Sequence, residues 1–280
     1  MLRAPPGGRF AGVLGWPLEH TLSPAIHNAA FRRAGIDCTY LAFEVPPEDL
    51  AAAVRGLRAL GVYGANVTMP HKERVADLLD EVTGDAAVLR VVNTIAPLSG
   101  RLIGHNTDVA GFTAVLTDDA GYSPEGRRAV VLGAGGAARA VVKALGDLGA
   151  ASIVVVARDP ERATWVPEIA TAAEAVSWER AQEAVAAADC VVNATPLGME
   201  GEHPLPGADF RPGQLVYDLV YRPPATPLVE SARAQGADAW GGLGMLVHQA
   251  AASFRIWTGT EAPIEAMSAA ALHAIRSTRP

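Results

Sequence analysis

The stretch that most restricts what this chain can fold into is Ala129-Val130-Val131-Leu132 running directly into Gly133-Ala134-Gly135-Gly136-Ala137-Ala138. The apolar run reads as a buried strand, and the pattern G-x-G-x-x-A then opens a segment of helical period that extends to about Leu148. Glycines permit the tight turn and a close approach of ligand to backbone, so a pyrophosphate can lie against amides at the positive end of the helix. Alone the pattern is weak, because a glycine-rich turn that binds nothing has the same composition. A second apolar run, Ser152–Ala157, follows at the distance expected of a dinucleotide-binding unit. Gly133, Ala134, Gly135, Gly136, Ala137 and Ala138 are therefore expected to hold a dinucleotide.

Arg158 stands at the end of that second run, where an NAD site usually places a carboxylate for the ribose hydroxyls. A planar, permanently charged guanidinium favours a 2′-phosphate, so NADP is the expected cofactor, with Arg162 one helical turn later as a second contact. Asp159 keeps an alternative open, since its carboxylate can accept from an unphosphorylated ribose or cap the helix.

Short apolar runs alternate with longer helical segments along the chain, the pattern of α/β domains with mostly parallel sheets. Expected strands are Phe10–Gly15, Tyr40–Val45, Gly64–Thr68, Val91–Pro97, Ala129–Leu132, Ser152–Ala157, Cys190–Ala194 and Leu215–Leu219. Expected helices include Pro24–Ala34, with Ser23 as its N-cap, and Glu48–Leu60. A chain of 280 residues, half of them hydrophobic, can bury two cores. Residues 1–108 are read as an N-terminal α/β substrate domain and 109–242 as a Rossmann-like dinucleotide-binding domain. Residues 243–280 are read as C-terminal helices returning to the first domain, which makes the cleft between domains the expected site.

The formal net charge of −7 argues against a nucleic-acid or anionic-membrane partner and leaves a small molecule as the expected ligand. No run approaches membrane-spanning length, and the Pro- and Gly-containing start has no apolar core of a secretory signal, so a cytoplasmic protein is expected. Cys38 and Cys190 show no paired or metal-ligand spacing and read as buried small hydrophobes. The seven histidines have no compact metal spacing, so no metal is expected.

Polar clusters interrupt apolar surroundings at four places: Glu19–Pro24, Gly64–Lys72, Val92-Asn93-Thr94 and Gly104–Asp108. Any one of them is ordinary turn and cap chemistry. Together, and where strands end, their hydroxyls, amides, amine and carboxylate suit a polyol acid.

These segments resemble the shikimate dehydrogenase family, whose pattern runs through H-S-x-S-P, N-V-T-x-P-x-K, V-N-T, N-T-D, G-A-G-G-A, N-A-T-P-x-G-M and M-L-x-x-Q. The sequence follows that order from about Val13 to Trp257, with Thr21 where the family commonly has Ser and Ala157-Arg158-Asp159 in place of N-R-T. The resemblance implies reversible NADPH-dependent reduction of 3-dehydroshikimate to shikimate, in the shikimate pathway of aromatic amino-acid biosynthesis; a monomer or homodimer is expected, and the sequence does not choose between them. By position it implies that Thr21, Ser23 and Tyr221 hold the substrate carboxylate. Asn66, Thr68, Lys72, Asn93, Asp108 and Gln249 would contact the ring hydroxyls and reacting centre, and Leu219 and Gly242 would lie near the nicotinamide. A carbonyl receiving hydride needs a donor at its oxygen, and Lys72, oriented by Asp108, is the expected catalytic pair. The alternatives are an NAD-linked or quinate-accepting enzyme and a non-catalytic dinucleotide sensor, the latter disfavoured by Lys72 and Asp108 together.

Overall fold

The computed structural model describes residues 8–19 and 21–277, so His20 of the Glu19–Pro24 cluster lies outside the described residues, as does the chain's start through Gly7. The chain divides into two units. One runs to Thr107 and resumes at Val247, and the other is Asp108–Leu246.

The first unit runs through β1 (Arg9–Gly15), α1 (Ser23–Arg33), β2 (Cys38–Glu44), α2 (Leu50–Ala59), β3 (Gly64–Val67), β4 (Glu81–Val82), α3 (Asp85–Leu89), β5 (Thr94–Leu98) and β6 (Arg101–His105). Its sheet has the order β2-β1-β3-β5-β6-β4. β1 is parallel to β2 and β3, whereas β5 is antiparallel to both β3 and β6. The β5–β6 connection is a two-residue turn with Ser99 at φ 50° and Gly100 at φ 81°, the left-handed pair that matches the twist of a hairpin.

Leu50, Val54 and Leu57 repeat at helical spacing on α2 and bury one face of that helix. They share a core with Leu14, Val67, Val75, Val92 and Ile95. The expected helix Glu48–Leu60 is divided, because Pro47–Asp49 forms a 3₁₀ turn before the α-helix begins. Ser23 is not the N-cap of α1. Leu22, buried and already at φ −93°, ψ −9°, holds that position without a side-chain cap, and Ser23 is the first helical residue. The Ser23 amide is covered instead by the Thr21 hydroxyl at 3.4 Å.

The second unit contains α4 (Asp108–Ala114), which continues as a π-helical turn over Val115–Asp119, then β7 (Arg128–Leu132), α5 (Gly136–Asp147), β8 (Ser152–Ala157), α6 (Val166–Ile169), β9 (Ala173–Ser177), α7 (Ala181–Ala187), β10 (Cys190–Asn193), β11 (Leu215–Asp218), α8 (Pro227–Ala234) and β12 (Asp238–Trp240). Its sheet is wholly parallel in the order β12-β11-β10-β7-β8-β9, the doubly wound order. Val130, Leu132, Val156, Val191, Val216 and Leu228 lie in one core against it. β4, β6, β9 and β12 are strands that the apolar pattern does not announce, being short or interrupted by charged and polar residues.

The last helices, α9 (Leu243–Thr258) and α10 (Ile264–Ser277), complete the first unit from Val247 onward. Phe254 packs on Phe31 of α1 with ring centroids 5.6 Å apart, and Trp257 donates its indole N–H to the Ile95 carbonyl at 3.1 Å. A side chain at Gly64 would overlap the Trp257 ring, so only glycine lets that indole lie on β3.

Candidate active site

In the second unit the glycine-rich loop leaves β7 at the point where the strand order reverses, between β8 on one side and β10 on the other. Gly133 has φ +101°, and a Cβ there would meet Thr195 and the Ala194 carbonyl at 3.0–3.2 Å. Gly135 is exposed at the N-cap of α5, and an added Cβ would meet no atom within 4 Å, so the helix opens onto free space. Backbone amides at such a helix start fit a pyrophosphate. Arg158, at the end of β8, is exposed, as is Asp159. The 3₁₀ turn Pro160–Arg162 follows, and the side chain of Arg162 lies outside the described residues. Buried Trp165 fastens this segment to α5, with the Arg139 guanidinium carbon 5.4 Å from its ring centroid.

Beyond β10 and β11 the loops are fixed by a buried carboxylate that the sequence pattern does not single out. Asp218 accepts from Asn193 Nδ2 at 2.9 Å, from the Val220 amide at 3.0 Å and from the Thr226 hydroxyl at 2.6 Å. Burial raises its pKa, and these three donors oppose the shift. Asn193 also accepts from the Thr195 amide and hydroxyl, so the first of the N-A-T residues builds the loop. Leu219 and Gly242, expected together, are in contact: the Gly242 amide donates to the Val220 carbonyl at 3.1 Å, and a Cβ on Gly242 would overlap the Leu219 carbonyl. Tyr221 is half-buried nearby in sequence, and burial raises its phenol pKa.

In the first unit the segments that follow β1 and β3 present Thr21, Ser23, Thr68 and Lys72, all partly exposed. The segment carrying Lys72 is held by its backbone: the His71 amide donates to the Thr68 carbonyl at 2.9 Å, and the Val92 amide donates to the Lys72 carbonyl at 2.8 Å. His71 itself is fully buried with Nε2 2.7 Å from the Val45 carbonyl, which fixes that nitrogen as a protonated one.

The same unit holds a cluster of buried amides and hydroxyls. Asn66 Nδ2 is 3.1 Å from the Asn93 carbonyl, 3.1 Å from Thr94 Oγ1 and 3.0 Å from Ser253 Oγ, while its Oδ1 accepts from the Tyr40 phenol at 2.7 Å. Asn93 donates to Thr107 Oγ1 at 3.0 Å and accepts from the Thr107 amide at 2.8 Å. Asn66 and Asn93 are thus brought together, each almost wholly buried. Thr94 and Thr107, members of two of the polar clusters with no individual role expected of them, join them, as do Tyr40 and Ser253, which the sequence does not mark, because a lone hydroxyl in a strand or helix carries no signal of its own. Gln249, partly exposed on α9, is one turn before Ser253. Asp108, buried, opens α4 in the second unit.

Among the described residues no cluster of three or more His, Cys, Asp or Glu could hold a metal ion, and no helix is long and apolar enough to cross a membrane. A doubly wound unit with an open glycine loop at its switch point, joined in one chain to an α/β unit rich in buried amides and hydroxyls, is the design of a dinucleotide-dependent oxidoreductase. Similarity to known proteins narrows the class. Residues 13–95 match the shikimate dehydrogenase substrate binding domain, 117–198 the shikimate/quinate 5-dehydrogenase family and 242–272 the shikimate 5′-dehydrogenase C-terminal domain. The NADP⁺ shikimate dehydrogenase of Methanopyrus kandleri is 45% identical over 95% of each chain. A crystal structure of shikimate dehydrogenase in complex with NADP⁺ superposes with a TM-score of 0.90 at 36% identity, covering 98% of both chains. The Thermus thermophilus shikimate 5-dehydrogenase in complex with NADP(H) and shikimate gives 0.86 at 38% identity, covering 95% of this chain and 99% of the other. The chain belongs to the shikimate dehydrogenase family.

Proposed function

We propose that this protein catalyses the reversible NADPH-dependent reduction of 3-dehydroshikimate to shikimate. The observation that carries this reading is that family membership extends over both units. In this reading residues 1–108 form the substrate domain, 109–242 the NADP-binding domain, and 243–280 the helices that return to the former. The amides of residues 133–138 take the pyrophosphate, Arg158 and Arg162 take the 2′-phosphate, and Leu219 and Gly242 border the nicotinamide.

NADPH, when bound, supplies the hydride that reduces the substrate's carbonyl carbon. Lys72 donates a hydrogen bond to the carbonyl oxygen and then a proton, so the C=O becomes CH–OH and the lysine leaves the step neutral. Asp108 orients the amine and accepts from the adjoining hydroxyl. Thr21, Ser23 and Tyr221 hold the carboxylate, remote from the reacting carbon, and Asn66, Thr68, Asn93 and Gln249 take the ring hydroxyls. The net charge of −7 disfavours a nucleic-acid partner, and in this reading the enzyme is cytoplasmic and monomeric or homodimeric.

Exposed Asp159 beside Arg158 supports a second reading, in which NAD or the more hydroxylated quinate is also used. Steady-state assays with shikimate or quinate against NADP or NAD separate the two. The shikimate and NADP pair is expected to give the highest kcat/KM, and preference for either other partner overturns that choice. Lys72→Ala is expected to lower kcat by about 10²–10⁴-fold with the KM for NADP little changed. Turnover near that of the unaltered protein refutes the mechanism.

A further inference from the structure

Ser253 is fully buried on α9, one turn after Gln249. Its Oγ lies 3.0 Å from the Gln249 carbonyl, 3.0 Å from Asn66 Nδ2, 2.8 Å from Thr94 Oγ1 and 3.2 Å from Thr107 Oγ1. Ser253 donates to the Gln249 carbonyl, which only accepts, and its Oγ receives an N–H of Asn66. The Thr94 hydroxyl donates to Asn93 Oδ1 at 2.9 Å and lies beside Ser253 Oγ. The Asn93 carbonyl, beside the same Asn66 nitrogen, also only accepts, so the amide's NH₂ end faces into the unit. Asn66 Oδ1 accepts from the Tyr40 phenol.

A serine or threonine in a helix satisfies itself by donating to the carbonyl four residues back, and Thr258 does so on this same helix, with its hydroxyl 2.8 Å from the Phe254 carbonyl. Ser253 does that and also receives the amide of a strand residue on β3. It therefore links two elements that each carry a proposed substrate contact.

We propose that Ser253 is a positioning residue for the substrate site. Its hydroxyl accepts from the Asn66 amide and so fixes the conformation of that side chain, and it locks that amide to the turn of α9 that carries Gln249. The inference rests on the reading of Asn66 and Gln249 as contacts to the substrate's ring hydroxyls. Residues that touch substrate are held within fractions of an ångström by such supporting bonds, and losing one loosens the contact without altering the reacting groups.

The test compares Ser253→Ala, Asn66→Ala, the double variant and Thr258→Ala in the full-length protein, measuring kcat and KM for shikimate and for NADP. Loss of one neutral hydrogen bond predicts about a fivefold rise in the KM for shikimate in Ser253→Ala, with kcat within about twofold and the KM for NADP unchanged. Asn66→Ala is expected to raise the KM for shikimate further, and the double variant to match Asn66→Ala alone, because Ser253 acts through that amide. Thr258→Ala, which removes a helical bond of the same kind, is expected to match the unaltered protein. A raised KM in Asn66→Ala beside an unchanged KM in Ser253→Ala overturns the positioning role, as do independent, additive effects. An unchanged KM in Asn66→Ala instead overturns the reading of Asn66 itself. If Asn66→Ala does not fold, the same cycle run with Asn66→Ser, which keeps a polar group in the buried cluster but cannot reach Ser253, decides the matter by the same criteria.

Discussion

His27 sits on α1 with its ring stacked on Tyr40, centroids 4.3 Å apart and planes 9° from parallel, and neither ring nitrogen has a hydrogen-bond partner among the described residues. Burial pulls its pKa down to about 3 from the ordinary 6.5, with the neighbouring Asn66 side chain opposing. The folded state therefore keeps the ring neutral while the unfolded chain takes up a proton below about pH 6.5. Between those two values the unfolded state binds more protons, so the contribution to stability is fully present above pH 6.5 and is lost progressively as pH falls towards 3. At pH 5 the loss from this group is roughly 2 kcal/mol. His27→Phe keeps an aromatic ring against Tyr40 and removes the titration, and urea midpoints at pH 5 and pH 8 are expected to differ less in the variant than in the parent. An equal difference in both proteins would mean that carboxylates carry the whole acid response. In the sequence His27 is one of seven histidines without metal spacing, and nothing in its neighbours announces complete burial. Lys72, Asp108 and Arg158 stand out from the chain because charge at a strand end or helix start conflicts with its apolar context. Tyr40 and Ser253 do not, and Thr94 and Thr107 stand out only as members of the Val92-Asn93-Thr94 and Gly104–Asp108 clusters, because a hydroxyl is neutral in either setting and reveals its task only when its partners are known.

Elements are legible in the sequence in proportion to the burial of their strands. β8 is expected at Ser152–Ala157 and lies there, since a strand covered on both faces is apolar throughout and ends where polarity returns. β9 and β12, at the edges of the same sheet, carry Glu174 and Asp238 and leave little apolar trace. The start of α1 follows the same logic in reverse: Ser23 and Pro24 have the composition of a cap and first turn, but buried Leu22 draws the helix back by one residue. Contacts between elements leave a fainter mark still, and Gly64 is the clearest case, a β3 residue whose missing side chain makes room for the Trp257 indole on α9. Gly64→Ala forces that ring away from β3 and strains its bond to Ile95, which is expected to destabilise the first unit by about 1–3 kcal/mol. Trp257→Leu should make the same glycine change much less harmful, because the overlapping ring is gone. Equal penalties from Gly64→Ala in both backgrounds, read from urea midpoints, would place the strain somewhere other than this contact.

On the scale of the whole molecule, the first unit is discontinuous and the second is not. The first completes its core only when α9 and α10 return from beyond residue 246, bringing Phe254 to Phe31 and Trp257 to Gly64 and Ile95. The second is an unbroken stretch, Asp108–Leu246, with its own doubly wound sheet and core, and its proposed cofactor contacts Gly133–Ala138, Arg158, Arg162, Leu219 and Gly242 all fall inside it. A unit that holds its own core and its own ligand contacts has the ingredients to fold and bind alone, whereas a unit split by a long insertion depends on both of its segments. The fragment 108–246 is therefore expected to show a cooperative thermal transition and to bind NADP within about tenfold of the intact protein's affinity, a difference of about 1.4 kcal/mol. A chain ending at Leu246 should lose the transition of the first unit, because Phe31, His27 and Ile95 are left facing water, yet keep that of the second. Calorimetry with and without NADP reads both outcomes in one experiment, since a ligand raises the transition only of the unit that binds it. A fragment 108–246 that melts without cooperativity, or whose transition NADP does not raise, would show that its fold or its cofactor site depends on residues outside it.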